Sequence, residues 1–221
     1  MAMTSRQPVS LMATLVGLAV ACGGPPALAA AQMAFARSPS LCVQIGLQGA
    51  LCALAAVVVL VVRRGERLPL SSIGARRPDA RTGVLAVGIV LVAYYALPLL
   101  TTPLLELLGF GGFEAGLDVL RRQPRWWRIC VALTSGPVEE LLYRGYAVDR
   151  LAGLTGRSSV GGVIAAIVFG LAHAPFWGLG PALAANLPFG LLMVGAYVWR
   201  RDLVANAAAH AALLLVTMVP L

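Results

Sequence analysis

The sequence predicts an all-α fold, a polytopic transmembrane helix bundle of about seven spans with polar active-site residues inside the bundle. Three observations support this prediction. Of the 221 residues, 59% are hydrophobic and only 12% are charged, whereas soluble domains carry about 25% charged residues. The mean hydropathy is +0.85. Charge-free runs recur along the chain, and several reach the roughly 20 residues that a helix needs to cross a bilayer.

We expect one integral membrane domain, with N-terminal helices and a basic loop over residues 1–125 and a core of helices over residues 126–221. The predicted spans lie at residues 7–36, 38–62, 82–105, 129–148, 158–199 and 203–221. The fifth stretch is too long for one crossing, so we predict two helices joined by a turn in "APFWGLGPA". A Gly-Gly-Pro-Pro sequence at residues 23–26 predicts a break in the first span.

The N-terminus allows a second interpretation. Arg6, an apolar core and the small-residue sequence "PALAAAQ" resemble a secretory signal with its cleavage site. The sequence "AVAC" ending at Cys22 also resembles a lipidation box. A first transmembrane helix is the more usual start for a chain with six further spans.

Residues 103–128 make a poor span because they carry three acidic side chains. An amphipathic helix lying at the membrane interface is the expectation for this segment. Trp126 and Trp127, which stand between two arginines, are typical of an interfacial anchor. Contact with a substrate is the alternative role for these tryptophans.

All 17 basic residues are arginines, and the net charge is +8. In a soluble protein this charge would favour nucleic-acid binding. Here the arginines cluster between apolar runs, where they set membrane topology. We therefore expect the lipid bilayer as a partner and no nucleic acid, in a multi-pass protein of a bacterial plasma membrane. The four cysteines lack metal-ligand spacing and are expected to be small buried hydrophobic residues.

The charge rule decides orientation only in part. The arginine-rich loop at residues 63–82 favours a cytoplasmic position. The arginines of residues 121–128 and those of residues 150–201 fall on opposite sides of the later helices. Because both sets are basic, the sequence leaves open which end of the helix at residues 129–148 faces the cytoplasm.

The stretch "SGPVEELLYRGYAVDRL", residues 135–151, places two adjacent carboxylates inside a predicted membrane helix. Glu140 and Arg144 are four residues apart, so they share a helix face in the favourable order of acid before base. Glu139 is rotated from Glu140 by about 100°. A carboxylate inside a membrane needs a partner, so we expect Glu139 to find one on another helix. A purely structural ion pair is the alternative role for Glu140 and Arg144.

The chain has only two histidines, and both lie in predicted spans. His173 ends the sequence "FGLAH", and His210 lies within "NAAAHAALLL". Either one alone would be unremarkable. Because intramembrane ionisable groups face the bundle interior or a water-filled cavity, we expect both histidines to converge on Glu139 and to line one cavity with it.

A carboxylate, two imidazoles and a cation favour activation of water for attack on a carbonyl group. The acid would take a proton from water, and an imidazole would stabilise the oxyanion. Alternatively, Glu139, His173 and His210 would bind a divalent metal such as zinc with one position open for water. The His-Glu-x-x-His metalloprotease helix and the Gly-x-Ser-x-Gly elbow are both absent from the sequence.

Through these glutamates, Arg144 and the two histidines, the sequence resembles a known family, the CPBP intramembrane proteases of the CAAX-processing and bacteriocin-processing (Abi) type. "EELLYR" matches their Glu-Glu-x-x-x-Arg motif, and "FGLAH" matches their Phe-x-x-x-His motif. His210 resembles the histidine of their third motif. The resemblance covers roughly residues 128–216, and the order and spacing of three motifs make it specific.

The resemblance implies an all-helical membrane endopeptidase, of a family classed with the metalloproteases. It implies that Glu139 is the base and that Glu140 pairs with Arg144. It also implies that His173 and His210 assist water activation and oxyanion binding, and it leaves both a metal-free and a metal-bound site open. The family often has asparagine four residues after the third-motif histidine, where this chain has Leu214. Asn206, four residues before His210, is a candidate substitute.

The predicted function is hydrolysis of a peptide bond in a membrane-associated protein or peptide by water activated through glutamate and histidine. Its predicted catalytic residues are Glu139, Glu140, Arg144, His173 and His210. The substrate stays open between a prenylated C-terminal CAAX peptide, a leader peptide and another membrane protein. A non-catalytic membrane scaffold or immunity protein of the same fold is the first alternative, favoured by Leu214. A small transporter or proton relay is the second.

Overall fold

The computed structural model describes residues 10–35 and 40–220, and these residues form helices and connecting turns without any β-strand. Within them, eight helices make up the fold: α1 (residues 11–35), α2 (Leu41–Gly65), α3 (Ala80–Leu107), α4 (Glu114–Arg121), α5 (residues 125–155), α6 (Ser158–Trp177), α7 (Leu179–Arg200) and α8 (Leu203–Met218). A short 3₁₀ turn, Leu70–Ile73, lies in the loop between α2 and α3.

Five of these helices, α1, α2, α3, α6 and α7, are long and apolar enough to cross a membrane. The helix α8 is apolar but shorter, and α5 carries the acid pair. The five spanning-length helices and the shorter apolar helix α8 confirm the predicted all-α, polytopic bundle of a multi-pass membrane protein. The division of this domain at residue 125 stays a prediction.

The predicted break at residues 23–26 is wrong, because α1 continues through it. A π-helical turn, Ala19–Gly23, precedes the two prolines. Proline has no N–H to give to the carbonyl group four residues earlier, and a π turn already interrupts that hydrogen-bond pattern. The ends of the first and last predicted spans, together with Arg6 of the signal-like segment, lie outside the described residues.

The turn predicted between α6 and α7 is confirmed at Gly178, whose φ of 90° favours glycine. The segment expected at the interface, residues 103–128, is divided among three helices. Its first residues complete α3, α4 follows as a separate short helix, and its last four residues begin α5. The ring of Phe113, beside α4, packs edge-on against Trp177 with centroids 5.2 Å apart, so α4 lies at the end of α6.

The helix α5 lies in the middle of the bundle and packs closely against α8. At Gly136, an added Cβ atom would lie 2.8 Å from the backbone nitrogen of Ala211. Further along α5, the side chains of Tyr143 and Tyr146 are buried with Phe169 of α6. A glycine at residue 136 therefore lets α8 reach the part of α5 that carries the acid pair.

Ion pairs join several helix ends to the loop between α2 and α3. At the end of α5, Arg150 Nη2 lies 2.6 Å from Glu66 Oε2. Between α7 and α8, Asp202 pairs with Arg76 of the loop. These contacts bring the end of α2, the start of α3, the end of α5 and the start of α8 to one end of the bundle.

Candidate active site

The acid pair lies where α5 changes its helical form. The helix is α-helical over Arg125–Glu139 and π-helical over Glu140–Val148. Long π-helical segments are rare, and π-helical turns are frequent at functional sites. All residues of the π segment except Leu141 are buried. The change in winding begins between the two carboxylates, which point into different surroundings.

Glu140 is fully buried and accepts three hydrogen bonds from other side chains. Its Oε1 accepts from Arg144 Nη1 at 2.8 Å and from His210 Nδ1 at 2.9 Å. Its Oε2 accepts from Asn206 Nδ2 at 3.2 Å. The predicted contact between Glu140 and Arg144 is therefore present, and both oxygens of this carboxylate are occupied.

Arg144 is also fully buried and has a second kind of partner. Its guanidinium carbon lies 4.1 Å from the ring centroid of Phe169, a cation–π contact. Its Nη2 is 3.4 Å from the carbonyl oxygen of Gly190, and its Nε has no hydrogen-bond partner. The ion pair thus sits among α5, α6 and α7, inside the bundle.

His210 was expected to converge on Glu139, but its Nδ1 hydrogen-bonds to Glu140 instead. The reason is the close approach of α8 to α5. A Cβ atom at Gly136 would lie 3.1 Å from the carbonyl carbon of His210. Because side chains four residues apart lie on the same helix face, His210 meets the residue at position 140 and not its neighbour.

Glu139 faces His173 across a short gap. The distance from Glu139 Oε2 to His173 Nε2 is 3.8 Å, and the two side chains are 16% and 21% exposed. The other ring nitrogen of His173, Nδ1, is 2.8 Å from the carbonyl oxygen of Phe169. A carbonyl oxygen only accepts hydrogen bonds, so Nδ1 carries a proton and the Nε2 side of the ring faces the carboxylate.

These two side chains line a cavity of about 250 Å³ in the bundle. His210 and Tyr143 also line it, as do Leu47 and Leu51 of α2. The structure therefore brings the side chains of Glu139, His173 and His210 into the wall of one cavity. Glu140 and Arg144 are not part of that wall.

Two residues of the cavity wall that the sequence analysis missed are Gln48 and Ser135. They exchange hydrogen bonds of 3.0 Å and 3.2 Å between α2 and α5. Gln44, one turn before Gln48, accepts a hydrogen bond of 3.1 Å from Trp127 Nε1. Gln44 and Gln48 are four residues apart in an apolar span and so form one polar stripe on α2. This pattern in the sequence could have identified both glutamines as candidate site residues.

Trp127 was expected to anchor the protein at the membrane interface, and this interpretation is wrong. Its side chain is buried and lines the cavity. The adjacent Trp126 is 52% exposed, as an interfacial anchor would be. Neighbouring residues on a helix point about 100° apart, so only one of the two tryptophans faces the bundle.

The structure does not support Asn206 as a substitute for the family asparagine. Its Nδ2 donates to Glu140 and also, at 2.8 Å, to the carbonyl oxygen of Met193. It is fully buried and does not line the cavity. Leu214, which stands at the family position, does line the cavity and offers no hydrogen-bond donor there.

The side chains do not fit a zinc site. Among the described residues, no group of three histidine, cysteine, aspartate or glutamate side chains could hold a metal ion. Glu139 and His173 would supply two ligands, but His210 is turned towards Glu140.

Comparison with known proteins adds one finding. Residues 121–216 match a family model described as type II CAAX prenyl endopeptidase, Rce1-like. The matched range contains α5, α6, α7 and all but the last two residues of α8, and it therefore includes both glutamates, Arg144 and both histidines. No curated protein and no solved structure gave a significant match.

Proposed function

Because the chain belongs, through residues 121–216, to the Rce1-like family of type II CAAX prenyl endopeptidases, we propose that it is an intramembrane endopeptidase. It hydrolyses a peptide bond of a membrane-associated protein or peptide. The observation that supports this proposal best is the pair Glu139 and His173, 3.8 Å apart in the wall of a cavity inside an apolar bundle.

The gap between Glu139 and His173 suits one water molecule. In the neutral tautomer of His173 with its proton on Nδ1, Nε2 is an acceptor, so a water between the two side chains gives one hydrogen to the carboxylate and the other to Nε2. Both acceptors raise electron density on the water oxygen. General base catalysis of this kind contributes about 10²- to 10⁴-fold to a reaction rate.

The proposed reaction begins when Glu139 takes a proton from this water and the water oxygen bonds to the carbonyl carbon of the peptide. The resulting oxyanion needs a donor in a site of low dielectric constant. His210 of α8 is the candidate donor; because its Nδ1 already donates to Glu140, this role requires the imidazolium form, with a second proton on Nε2. The C–N bond then breaks, and the proton held by Glu139 passes to the leaving amine.

Glu140 has a supporting role in this proposal. Its carboxylate accepts a hydrogen bond from Nδ1 of His210, which orients the imidazole, and it balances the charge of Arg144. A carboxylate with both oxygens occupied is poorly placed to take a proton from water. In this proposal Glu139 is therefore the general base, and Glu140 positions His210.

A non-catalytic membrane scaffold or immunity protein is the second candidate function. The observation that favours it is Leu214, which puts an apolar side chain in the cavity wall where the family often has an asparagine donor. In this alternative the polar network would serve only to hold the helices in register.

The test is cleavage by the purified protein in reconstituted vesicles, with a prenylated CAAX peptide and a membrane-anchored leader peptide as reporters. We expect cleavage of at least one reporter by the wild-type protein and by Gly153→Ala, an exposed position on α5, and a large loss with His173→Ala. If a folded wild-type protein cleaves neither peptide, the scaffold function is favoured. If a chelator abolishes cleavage and zinc restores it, the result would favour attack by a metal-bound water over direct activation of water by Glu139.

A further inference from the structure

The bundle has two ends that differ in composition. At the first, the basic-loop end, the starts of α1, α3, α6 and α8 meet the ends of α2, α5 and α7. The ion pair of Arg150 with Glu66 and that of Arg76 with Asp202 lie there. At the second, the cavity end, the side chain of Trp127 at the start of α5 contacts Gln44 at the start of α2.

Arginines are distributed unevenly between these two ends. Of the 15 arginines among the described residues, Arg144 lies midway along α5 and the other 14 lie towards the two ends of the bundle. Ten belong to the basic-loop end: Arg63, Arg64, Arg67, Arg76, Arg77, Arg81, Arg150, Arg157, Arg200 and Arg201. Four belong to the cavity end: Arg121, Arg122, Arg125 and Arg128. The end with the excess of arginine in short loops faces the cytoplasm in multi-pass proteins.

The structure shows that two arginine groups that are separate in sequence, those of the loop after α2 and those of residues 150–201, lie at the same end of the bundle. Arg201, after α7, pairs with Asp149 at 2.7 Å and also bonds to the carbonyl oxygen of Ser72 in the loop after α2. The later arginines thus lie at the same end as the basic loop. The sequence alone left this relationship open.

The cavity reaches the opposite end. Its wall contains Gln32 near the end of α1, Trp127 at the start of α5, Trp177 at the end of α6 and Met218 at the end of α8. No wall residue belongs to the basic-loop end. Towards the basic-loop end, α5 is closed by the buried π segment, so a peptide and water approach Glu139 from the cavity end.

We propose that the candidate active site opens on the extracytoplasmic side of the membrane. This inference rests on the proposed function where it concerns the substrate. The substrate class is then a membrane-tethered peptide whose scissile segment has already crossed the bilayer. A peptide presented at the cytoplasmic surface would meet the arginine-rich end, where the bundle is closed.

Orientation is tested without any need for proteolytic activity. In a variant with the four native cysteines replaced, Ser71→Cys reports on the basic-loop end and Gly111→Cys on the cavity end. Both positions are exposed, and a Cβ atom at Gly111 meets nothing within 4 Å. We expect a membrane-impermeant thiol reagent to label the residue-111 variant in intact spheroplasts and the residue-71 variant only after permeabilisation. The reverse pattern would overturn the proposed orientation.

The substrate side is tested in the same cells. Two single-span reporters carry the same scissile segment, one at the cytoplasmic end and the other at the extracytoplasmic end of the span. We expect wild-type protein to cleave only the extracytoplasmic segment and Glu139→Gln to cleave neither. Cleavage of the cytoplasmic segment alone would overturn the inference. Cleavage of neither by the wild-type protein would count against the proposed protease activity, while the labelling result would still decide the orientation.

Discussion

His210 hydrogen-bonds through Nδ1 to Glu140 at 2.9 Å and not to the adjacent Glu139. The two carboxylates therefore belong to different environments. Glu140 is fully buried with three donors, and Glu139 is partly exposed in the cavity wall opposite His173. This arrangement supports the proposed roles, in which Glu140 positions His210 and Glu139 is the base.

Replacing each glutamate by glutamine should separate these two roles. Glu139→Gln keeps the shape of the side chain but removes the base, so we expect turnover to fall by about 10²- to 10⁴-fold with an unchanged unfolding temperature. Glu140→Gln should lower both turnover and stability, because it leaves Arg144 without its counter-charge. Single-turnover cleavage in vesicles and thermal unfolding in detergent measure the two effects. Wild-type turnover in Glu139→Gln would refute the assignment of the base.

The buried ion pair should matter far more to stability than an exposed one. Arg144→Ala leaves Glu140 buried without its guanidinium partner, and we expect a loss of about 3–5 kcal/mol in the free energy of unfolding. Arg121→Ala is the matched control, since Arg121 and Asp118 are 51% and 60% exposed in their pair and such pairs contribute about 1 kcal/mol or less. Equilibrium unfolding in mixed micelles compares the two. Equal losses would contradict the buried role of Arg144.

The close approach of α8 to α5 should be sensitive to one methyl group. Gly136→Ala would place a Cβ atom 2.8 Å from the backbone of α8, which forces the helices apart and moves His210 from Glu140. We expect lower stability and a loss of most activity. At Gly153, on the same helix, a Cβ atom meets nothing within 4 Å.

Gly153→Ala is therefore the control, and we expect its stability to be unchanged or raised by up to about 1 kcal/mol. The two alanine variants are compared by unfolding and by cleavage of the same reporter peptide. A Gly136→Ala variant as active as Gly153→Ala would mean that the contact between α5 and α8 does not position His210.

Acidic pH should lower the stability of the fold by protonating Glu66 at the basic-loop end. Burial raises the pKa of the Glu66 carboxyl, but hydrogen bonds and charge from Arg150, with hydrogen bonds from Tyr146 and Thr14, outweigh burial and lower the pKa below its ordinary value of 4.5. A carboxyl with a lowered pKa in the folded state stabilises the fold above its unfolded pKa. That contribution is lost as the pH falls through the lowered, folded value.

We therefore expect the free energy of unfolding of the wild-type protein to fall more steeply below about pH 4.5 than that of Glu66→Gln, which has no carboxyl to protonate. At neutral pH the wild-type protein should be the more stable of the two. Denaturant unfolding in detergent between roughly pH 7 and 3 measures both curves. Parallel curves would show that Glu66 does not couple protonation to folding.

The sequence by itself predicted the all-α membrane bundle and the helix that carries the acid pair. It did so because apolar runs and a spacing of four residues are local properties of the chain. The contact of Arg144 with Glu140 was predictable for the same reason, since both residues lie on one helix. The turn at Gly178 was predictable from its glycine and proline neighbours.

Only the tertiary structure decided which carboxylate His210 meets, because that depends on how closely α8 approaches Gly136. Likewise, it separated Trp127 from Trp126, since the direction in which a side chain points relative to other helices is not a local property. The structure was also needed to show which end of the bundle holds most arginines, because the contact of Arg201 with the loop after α2 places the two arginine groups together. All three results depend on how helices distant in sequence pack together. The spacing of residues within one helix does not determine its distance from another helix.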